Sequence, residues 1–330
     1  VSDWQETKVK AAVSSVIENQ LQNNEFLGDV LEGLSRKRKT LPCKYLYDEV
    51  GSRLFEEICD SQDYYLTRNE ADIFTTYRDE IAQKFGPETL LIEPGAGNCE
   101  KVEELLDAMD SPRGYCPIDI SPEILLEAEK RIKKSLPGVQ VWSEVGDFSQ
   151  SEVWNKLIHI SSRKKVIFFP GSTIGNFEPL EAECLLKLFA SNLDAGDGLL
   201  IGTDLVKDSV ILERAYNDSD HVTERFNLNL LQRINVELGA NFDLSLFAHR
   251  AFYHALRQRV EMHLVCLKNH SVSIADTCID FIEGETIHTE NSHKYSIAGF
   301  KSLLARSGFE SVCFWQDSAK TYVIHYAQAI

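Results

Sequence analysis

The sequence predicts an α/β protein built on a parallel sheet covered on both faces, and three observations predict it. From residue 89 onward, short apolar runs alternate with amphipathic stretches: "TLLIEPGAG" precedes "NCEKVEELLDAM", and "GYCPIDIS" precedes "PEILLEAEKRIKKSL". The first run ends in an acid and closely spaced glycines, the punctuation of a tight strand-to-helix turn. The rhythm breaks after Leu205 and returns in the last forty residues, which marks inserted material of another character.

Taken in order, the N-terminal stretch predicts one amphipathic helix over roughly 8 to 34. An aromatic-rich loop follows, "KYLYDEVGSRLFEEICDSQDYYLTRNE". Tyr45, Phe55 and Tyr65 fit core packing as well as a ligand box, whereas Tyr47 and Tyr64 stand out because acids and turn residues flank each phenol. Beyond the first two strand–helix pairs, "VQVWSEVGDF", "KKVIFFPGSTIGNF" with "EAECLLKLFASNL", and "GLLIGTDL" continue the alternation. "SVILERAYNDSDHVTERFNLNLLQRINVEL" then reads as one long helical stretch. "QRVEMHLVCLKNHSVSIADTCIDFIEGETIHTE" alternates like antiparallel strands around "KNHS" and "EGE" turns. A helix at "IAGFKSLLARSGF" and a hairpin of "SVCFWQD" with "TYVIHYAQA" close the sheet edge. The expected division is a core of residues 70–206 and 296–330, and a second, α+β domain of residues 1–69 and 207–295.

Composition narrows the function. A chain of 330 residues, 43% apolar, can bury a substantial core. Its net charge of −17 argues against a nucleic-acid or anionic-membrane partner, because affinity for phosphate rests on clustered Lys and Arg. The basic run "SRKRKT" is too short to reverse that. Eight cysteines without a C-x-x-C pair read as buried thiols in a reducing compartment. With no run of eighteen apolar residues and no secretion-signal layout at "VSDWQETKVK", the expectation is a cytoplasmic protein. Neither H-E-x-x-H nor EF-hand spacing occurs, so no metal is expected.

The chemistry starts at "EPGAGNCE". A dinucleotide fingerprint wants a third glycine beside the pyrophosphate, and Glu100 stands there instead. An acid repels a pyrophosphate but tolerates a cationic sulfonium nucleoside, which favours S-adenosylmethionine over NAD. Asp119 in "CPIDIS" follows about twenty residues on, where a carboxylate takes ribose hydroxyls; the alternative is a cap for the next helix. Asp147 and Phe148 in "GDF" follow the third strand, placed to hold an adenine amino group and its face. Three such positions in this order point to a Rossmann-like methyltransferase. In "FFPGSTIGNF" the fourth strand ends where a transferable methyl would point; Asn176 there can donate and accept at once, or merely shape the turn. Asp204 in "GTDLVKD" reads as a possible cap.

"YLYDEVGSRLFEEI", "YYLTRNE", "GSTIGNF", "GTDLVKD", "AYNDSDHVTERFN" and "TENSHK" resemble the histidine-specific Nα-methyltransferases of ergothioneine biosynthesis, over about residues 40 to 315. The resemblance implies a class I methyltransferase core using S-adenosylmethionine and releasing S-adenosylhomocysteine. It makes the α+β domain the substrate-binding one, and implies trimethylation of L-histidine to hercynine through mono- and dimethyl intermediates. It places the methyl donor at Tyr47, Gly95, Lys101, Asp119, Asp147 and Phe148. It places the substrate at Tyr64, Gly171, Asn176, Tyr216, Met262, Glu290 and Ser292, with Asn176, Tyr216 and Tyr64 nearest the chemistry. Pro94, Ala96, Asn98 and Cys99 depart from the residues common in relatives, while the glycines, Glu100 and Lys101 stay in place.

This gives the polar stretch "IHTENSHKYS" a physical sense. A neutral imidazole has one donor and one acceptor, and the Glu290 carboxylate with the Ser292 hydroxyl complements both. His293 is expected to face away. The expected reaction is an in-line displacement by a neutral amine, with deprotonation to solvent or through a tyrosine and water. Two alternatives stay open: a related methyltransferase acting on tryptophan or another amine, and a non-catalytic nucleoside-binding protein. A monomer without macromolecular partners is expected.

Overall fold

The computed structural model describes residues 24–97 and 100–330. The earlier part of the expected 8–34 helix, and Asn98 and Cys99, lie outside the described residues; helix is present over 24–35. Two compact units divide the described residues: those up to Asp63, with 213–252 and 261–290, form one, and residues 64–212, 253–260 and 291–330 the other. Residues 64–69, 207–212, 253–260 and 291–295 therefore group with the core segments rather than with the insertion.

The core unit carries a seven-stranded sheet in the order Phe309–Gln316, Tyr322–Ala329, Gly198–Asp204, Lys164–Phe169, Thr89–Pro94, Gly114–Asp119, Glu144–Val145. Its strands run parallel except at Tyr322–Ala329, which is antiparallel to both neighbours. This is the class I methyltransferase arrangement expected from the sequence. Central strands such as Thr89–Pro94 and Gly198–Asp204 are buried along their whole length, as near-continuous apolar runs must be when helices cover both faces. Leu90, Ile92, Ile118, Ile167, Phe169, Leu199 and Ile201 pack against Leu186, Phe189, Phe300 and Leu304. The chain leaves Thr89–Pro94 toward one edge and returns to Lys164–Phe169 on its other side. The strand order reverses between these two, and the crevice at their carboxyl ends is where such sheets bind ligands.

The other unit holds most of a four-stranded sheet, Lys39–Thr40, Thr286–His293, Arg259–Cys266, Phe247–His254, and a separate hairpin of His270–Ile274 with Thr277–Phe281. The first strand pairs in parallel with Thr286–His293, Lys39 opposite Ile287. Helices Glu49–Asp60 and Val222–Leu238 pack on each other.

Several expectations need correction. The aromatic "loop" is largely helical: Asp48 accepts from the Gly51 N–H at 2.7 Å and caps Glu49–Asp60, and a second helix spans Tyr65–Phe85. The long helical stretch is two helices, Ser209–Tyr216 and Val222–Leu238. Asp218 serves the start of the second, its carboxylate accepting from the Val222 and Thr223 N–H groups, while His221 takes a left-handed φ of 55°. Phe247–His254 forms a strand that alternation did not single out. No disulfide joins the described cysteines, and Cys184 and Cys278 are exposed rather than buried. Among the described residues no helix is long and apolar enough to cross a membrane.

Candidate active site

In the core unit the Thr89–Pro94 strand ends in a turn that demands glycine, with φ of 69° at Gly95 and 54° at Gly97. The Gly95 N–H donates to the Ile118 carbonyl at 2.7 Å, and the Gly97 N–H to Asp119 Oδ2 at 3.2 Å. A Cβ added at Gly95 would lie 3.3 Å from Phe148 Cε1, so that ring rests directly on the turn. Three separated motifs thus converge at the reversal point of the sheet. Asp119 Oδ1 accepts from the Ser121 N–H at 3.0 Å. Burial raises the Asp119 carboxyl above its ordinary value, opposed by the backbone donors of Ser121, Gly97 and Ile120. Asp147 Oδ1 accepts from the N–H and hydroxyl of Ser149 at 2.8 and 2.6 Å, an Asx turn that fixes the carboxylate at its strand end. Phe148 is held edge-on by Phe169 and Phe177. Glu93, the acid before the turn, is buried, and burial pushes it up to about 8 even though the Tyr115 hydroxyl donates to it at 2.5 Å.

Lys101 pairs with the buried Glu70 at 2.5 Å. The other Glu70 oxygen accepts from the Gly171 N–H and the Tyr322 hydroxyl, both at 2.7 Å. The turn after Lys164–Phe169 bends through left-handed residues, Gly171 at 76° and Ser172 at 58°, into the short Thr173–Asn176 helix. A Cβ on Gly175 would lie 2.8 Å from the His293 carbonyl, so this turn lies flat against the segment that carries Ser292. Asn176 is half-buried, and Tyr64 is buried at the start of Tyr65–Phe85.

Asp204 is not a cap. The next helix is served by Asp208, which accepts from the Val210 N–H at 2.8 Å. Asp204 is fully buried, and its Oδ2 lies 2.8 Å from Lys294 Nζ and 2.6 Å from the Tyr65 hydroxyl. Lys207 binds its other oxygen. Burial alone would raise Asp204, but Lys294 and Lys207 hold it below the usual carboxylate range. Lys294 also donates to Ser292 Oγ at 2.8 Å. His293 points at Glu178, Nε2 to Oε2 3.9 Å.

In the other unit, the Tyr47 hydroxyl donates to Glu290 Oε1 at 3.3 Å, its ring packed edge-on against Phe55 and Phe226. Loss of solvent, and then the Glu290 carboxylate, drive this phenol well above its ordinary value, so it stays protonated and donates. Tyr216 is buried, and its carbonyl accepts from His249 Nε2–H at 2.8 Å. Asn227 Nδ2 donates to His249 Nδ1 at 3.0 Å, which fixes that tautomer, and burial lowers the His249 pKa. Asn227 also reaches the His263 carbonyl at 3.1 Å, and its Oδ1 accepts from the Thr289 hydroxyl at 2.7 Å. Thr289 lies 3.1 Å from the carbonyl of the buried Met262. One buried amide thus ties the helix to all three long strands.

Among the described residues one group, Glu261, His263 and His288, has metal-ligand composition, with ligand atoms within 4.8 Å of one another. The two imidazoles are stacked at 4.7 Å and 14°. Ring lone pairs lie in the ring planes, and two nearly parallel planes do not aim them at one ion.

Sequence spacing missed Glu70, Asn227, His249 and Lys294. Glu70 and Lys294 stand inside quoted motifs, "YYLTRNE" and "TENSHK", yet their partners are distant in sequence, and spacing carries no signal for such pairs.

Comparison with known proteins completes the assignment. A histidine N-alpha-methyltransferase of Mycolicibacterium smegmatis is 39% identical over 91% of this chain and 93% of its own length. The enzyme of the same name from Mycobacterium tuberculosis is 37% identical over the same shares. The ergothioneine biosynthesis protein 1 of Neurospora crassa is 30% identical over 84% of this chain, which spans 32% of that longer protein. The family described as "Histidine-specific methyltransferase, SAM-dependent" matches residues 26–329. This chain belongs to that family.

Proposed function

We propose that the chain transfers three methyl groups from S-adenosylmethionine to the α-amino group of L-histidine, giving hercynine, a step toward ergothioneine. The observation that carries the choice of substrate is the polarity of Glu290 and Ser292. They stand two residues apart on one strand, where side chains share a face, and present a carboxylate acceptor beside a hydroxyl. An indole has no ring acceptor and makes poorer use of that pair, which counts against tryptophan.

The core residues suit the methyl donor. A glycine turn, an aromatic face at Phe148 and the acids Asp119 and Asp147 match a cationic nucleoside without phosphates, with Lys101 beside them; Tyr47, outside the core unit, joins this set on the family resemblance. Bound there, the donor supplies an electrophilic methyl on a sulfonium. The chain's task is to hold an uncharged amine about 3 to 3.5 Å from that carbon, in line with the breaking bond. Each transfer replaces one N–H by one N–CH₃ and sends one proton to water, so three protons leave per hercynine. Asn176, with Gly171, Tyr64 and Tyr216, orients the amino-acid end. A neutral amide suits this work, since a carboxylate in its place would stabilise the ammonium and remove the nucleophile. The insertion and N-terminal segments supply the side chains that read the ring, the core supplies Gly171 and Asn176 for the amino-acid end, and the protein acts as a cytoplasmic monomer on small molecules alone.

Incubation with S-adenosylmethionine and each of the twenty amino acids, followed by mass spectrometry, tests it. A gain of three methyl groups on histidine alone is expected; a gain on another amino acid, or none on histidine, would overturn it.

A further inference from the structure

Lys294 is fully buried, and its ammonium lies 2.8 Å from Ser292 Oγ and 2.8 Å from Asp204 Oδ2. Removing an ammonium from water costs several kcal/mol, so a lysine is not spent on a serine for packing alone. An ammonium has three donors and no acceptor. At this contact Ser292 can only accept, and its own proton must be directed elsewhere. Asp204 is held from several sides. Asp204 binds Lys294, Lys207 and the Tyr65 hydroxyl, while its N–H donates to Ser172 Oγ at 2.9 Å and its carbonyl accepts from the Tyr295 N–H at 2.9 Å.

We propose that Lys294, anchored by Asp204, is a positioning residue that makes Ser292 an obligate hydrogen-bond donor toward the substrate ring. The inference rests on the reading that Ser292 faces that ring. A serine hydroxyl left to itself rotates and serves either polarity. Polarised by Lys294, it matches a ring nitrogen that bears a lone pair and rejects a ring that lacks one. The pair then reads an azole in one orientation, its N–H toward Glu290 and its lone pair toward Ser292. Imidazolium, with two N–H groups and no lone pair, is excluded by the same rule.

The test compares kcat/KM for histidine with that for the two pyrrolylalanine isomers, each of which keeps one ring N–H and replaces the other nitrogen by C–H. In wild type the preference for histidine over the better isomer is expected to be large. In Lys294→Met it should shrink about tenfold or more, because the freed hydroxyl no longer insists on an acceptor. In Ser292→Ala, adding Lys294→Met should change the ratio no further. S-adenosylmethionine affinity, measured by titration calorimetry, should be unchanged in Lys294→Met, which separates this role from general damage. If Lys294→Met does not fold, Lys294→Gln takes its place, since an amide offers both polarities and so also releases Ser292. A preference lowered by Ser292→Ala but untouched by either Lys294 variant would overturn the inference and leave the substrate reading standing. A preference that Ser292→Ala leaves unchanged would overturn the ring reading itself, and this inference with it.

Discussion

In the core unit Gly95, Gly97, Asp119 and Asp147 stand at strand ends, and the backbone places them. In the other unit Tyr47, Tyr216, Met262 and Glu290 are placed by side chains that hydrogen-bond to other side chains or to carbonyls far away in sequence. Asn227 alone links His249, the His263 carbonyl and Thr289 across 62 residues of chain. A site built from strand ends inherits the periodicity of the sheet. A site built from relays inherits the precision of each relay, and a single truncation should loosen several groups together.

The largest effects should come from breaking one node in each unit. Glu70→Ala removes the carboxylate beside Lys101 together with the buried acceptor of the Gly171 N–H and the Tyr322 hydroxyl, so unfolding in denaturant should show a loss of about 3 to 5 kcal/mol, most of it from the two buried donors. Asn227→Ala removes neutral hydrogen bonds only and should cost about 1 to 3 kcal/mol. Equal losses would mean that the charge at Glu70 adds nothing, and the contrast between the units would fail.

Asp119→Ala comes next. It removes the partner proposed for the ribose hydroxyls and the acceptor of the Gly97 N–H, and should weaken S-adenosylmethionine binding by about 1.5 to 3 kcal/mol. Calorimetry that finds an unchanged affinity in a folded variant would remove Asp119 from the site. This prediction was available from the sequence, because a twenty-residue interval between a glycine turn and an acid is set by strand and helix lengths. The Lys101–Glu70 pair was not, since 31 positions separate its partners and no repeat connects them. The helix over residues 49–60 is masked by the aromatics and acids that crowd the segment, although its signals are present: Asp48 at the N-cap, Glu49 in the first turn, and Leu54 and Ile58 one turn apart on the buried face. The same gap explains Asp204, whose position after a strand suggests a cap until Lys294, ninety residues later, is seen against it.

Acid should strain the core unit through a single ring. His325 is completely buried between Phe300 and Phe314, neither nitrogen has a hydrogen-bond partner, and burial drives it down to about 3. Between about 3 and the ordinary value near 6.5 the unfolded chain binds the extra proton. The His325 contribution to stability is therefore present above pH 6.5 and declines as pH falls, by up to about 1.36 kcal/mol per unit, or about 2 kcal/mol by pH 5, against the opposite trend of Glu93, which binds its proton more tightly in the folded chain. His325→Leu should remove that part of the decline, measured as unfolding free energy at pH 6.5 and pH 5. His263, in the other unit, is pushed to about 4 by burial, opposed by a Glu261 oxygen at 3.2 Å, so over the same interval it adds a decline of similar size, about 2 kcal/mol by pH 5. An identical slope in the His325→Leu variant would show that the ring is not the group acid attacks.

The smallest effect separates two roles for one residue. Family resemblance puts Tyr47 with the methyl donor, while its hydroxyl donates to Glu290, the residue proposed to hold the substrate ring. The 3.3 Å length marks a modest bond, and removing the hydroxyl leaves the ring packed against Phe55 and Phe226, so Tyr47→Phe should fold as wild type. If the phenol serves Glu290, the carboxylate loses one fixed donor and gains freedom to turn. Histidine binding should then weaken by about 0.5 to 1.5 kcal/mol, seen as KM rising roughly two- to twelvefold with little change in kcat. S-adenosylmethionine affinity should stay the same. The opposite pattern, weaker donor binding with histidine KM untouched, would return Tyr47 to the donor site and make its bond to Glu290 incidental. Both affinities falling together would give Tyr47 a part in each, and the division between groups placed by backbone and groups placed by relays would no longer hold at this residue.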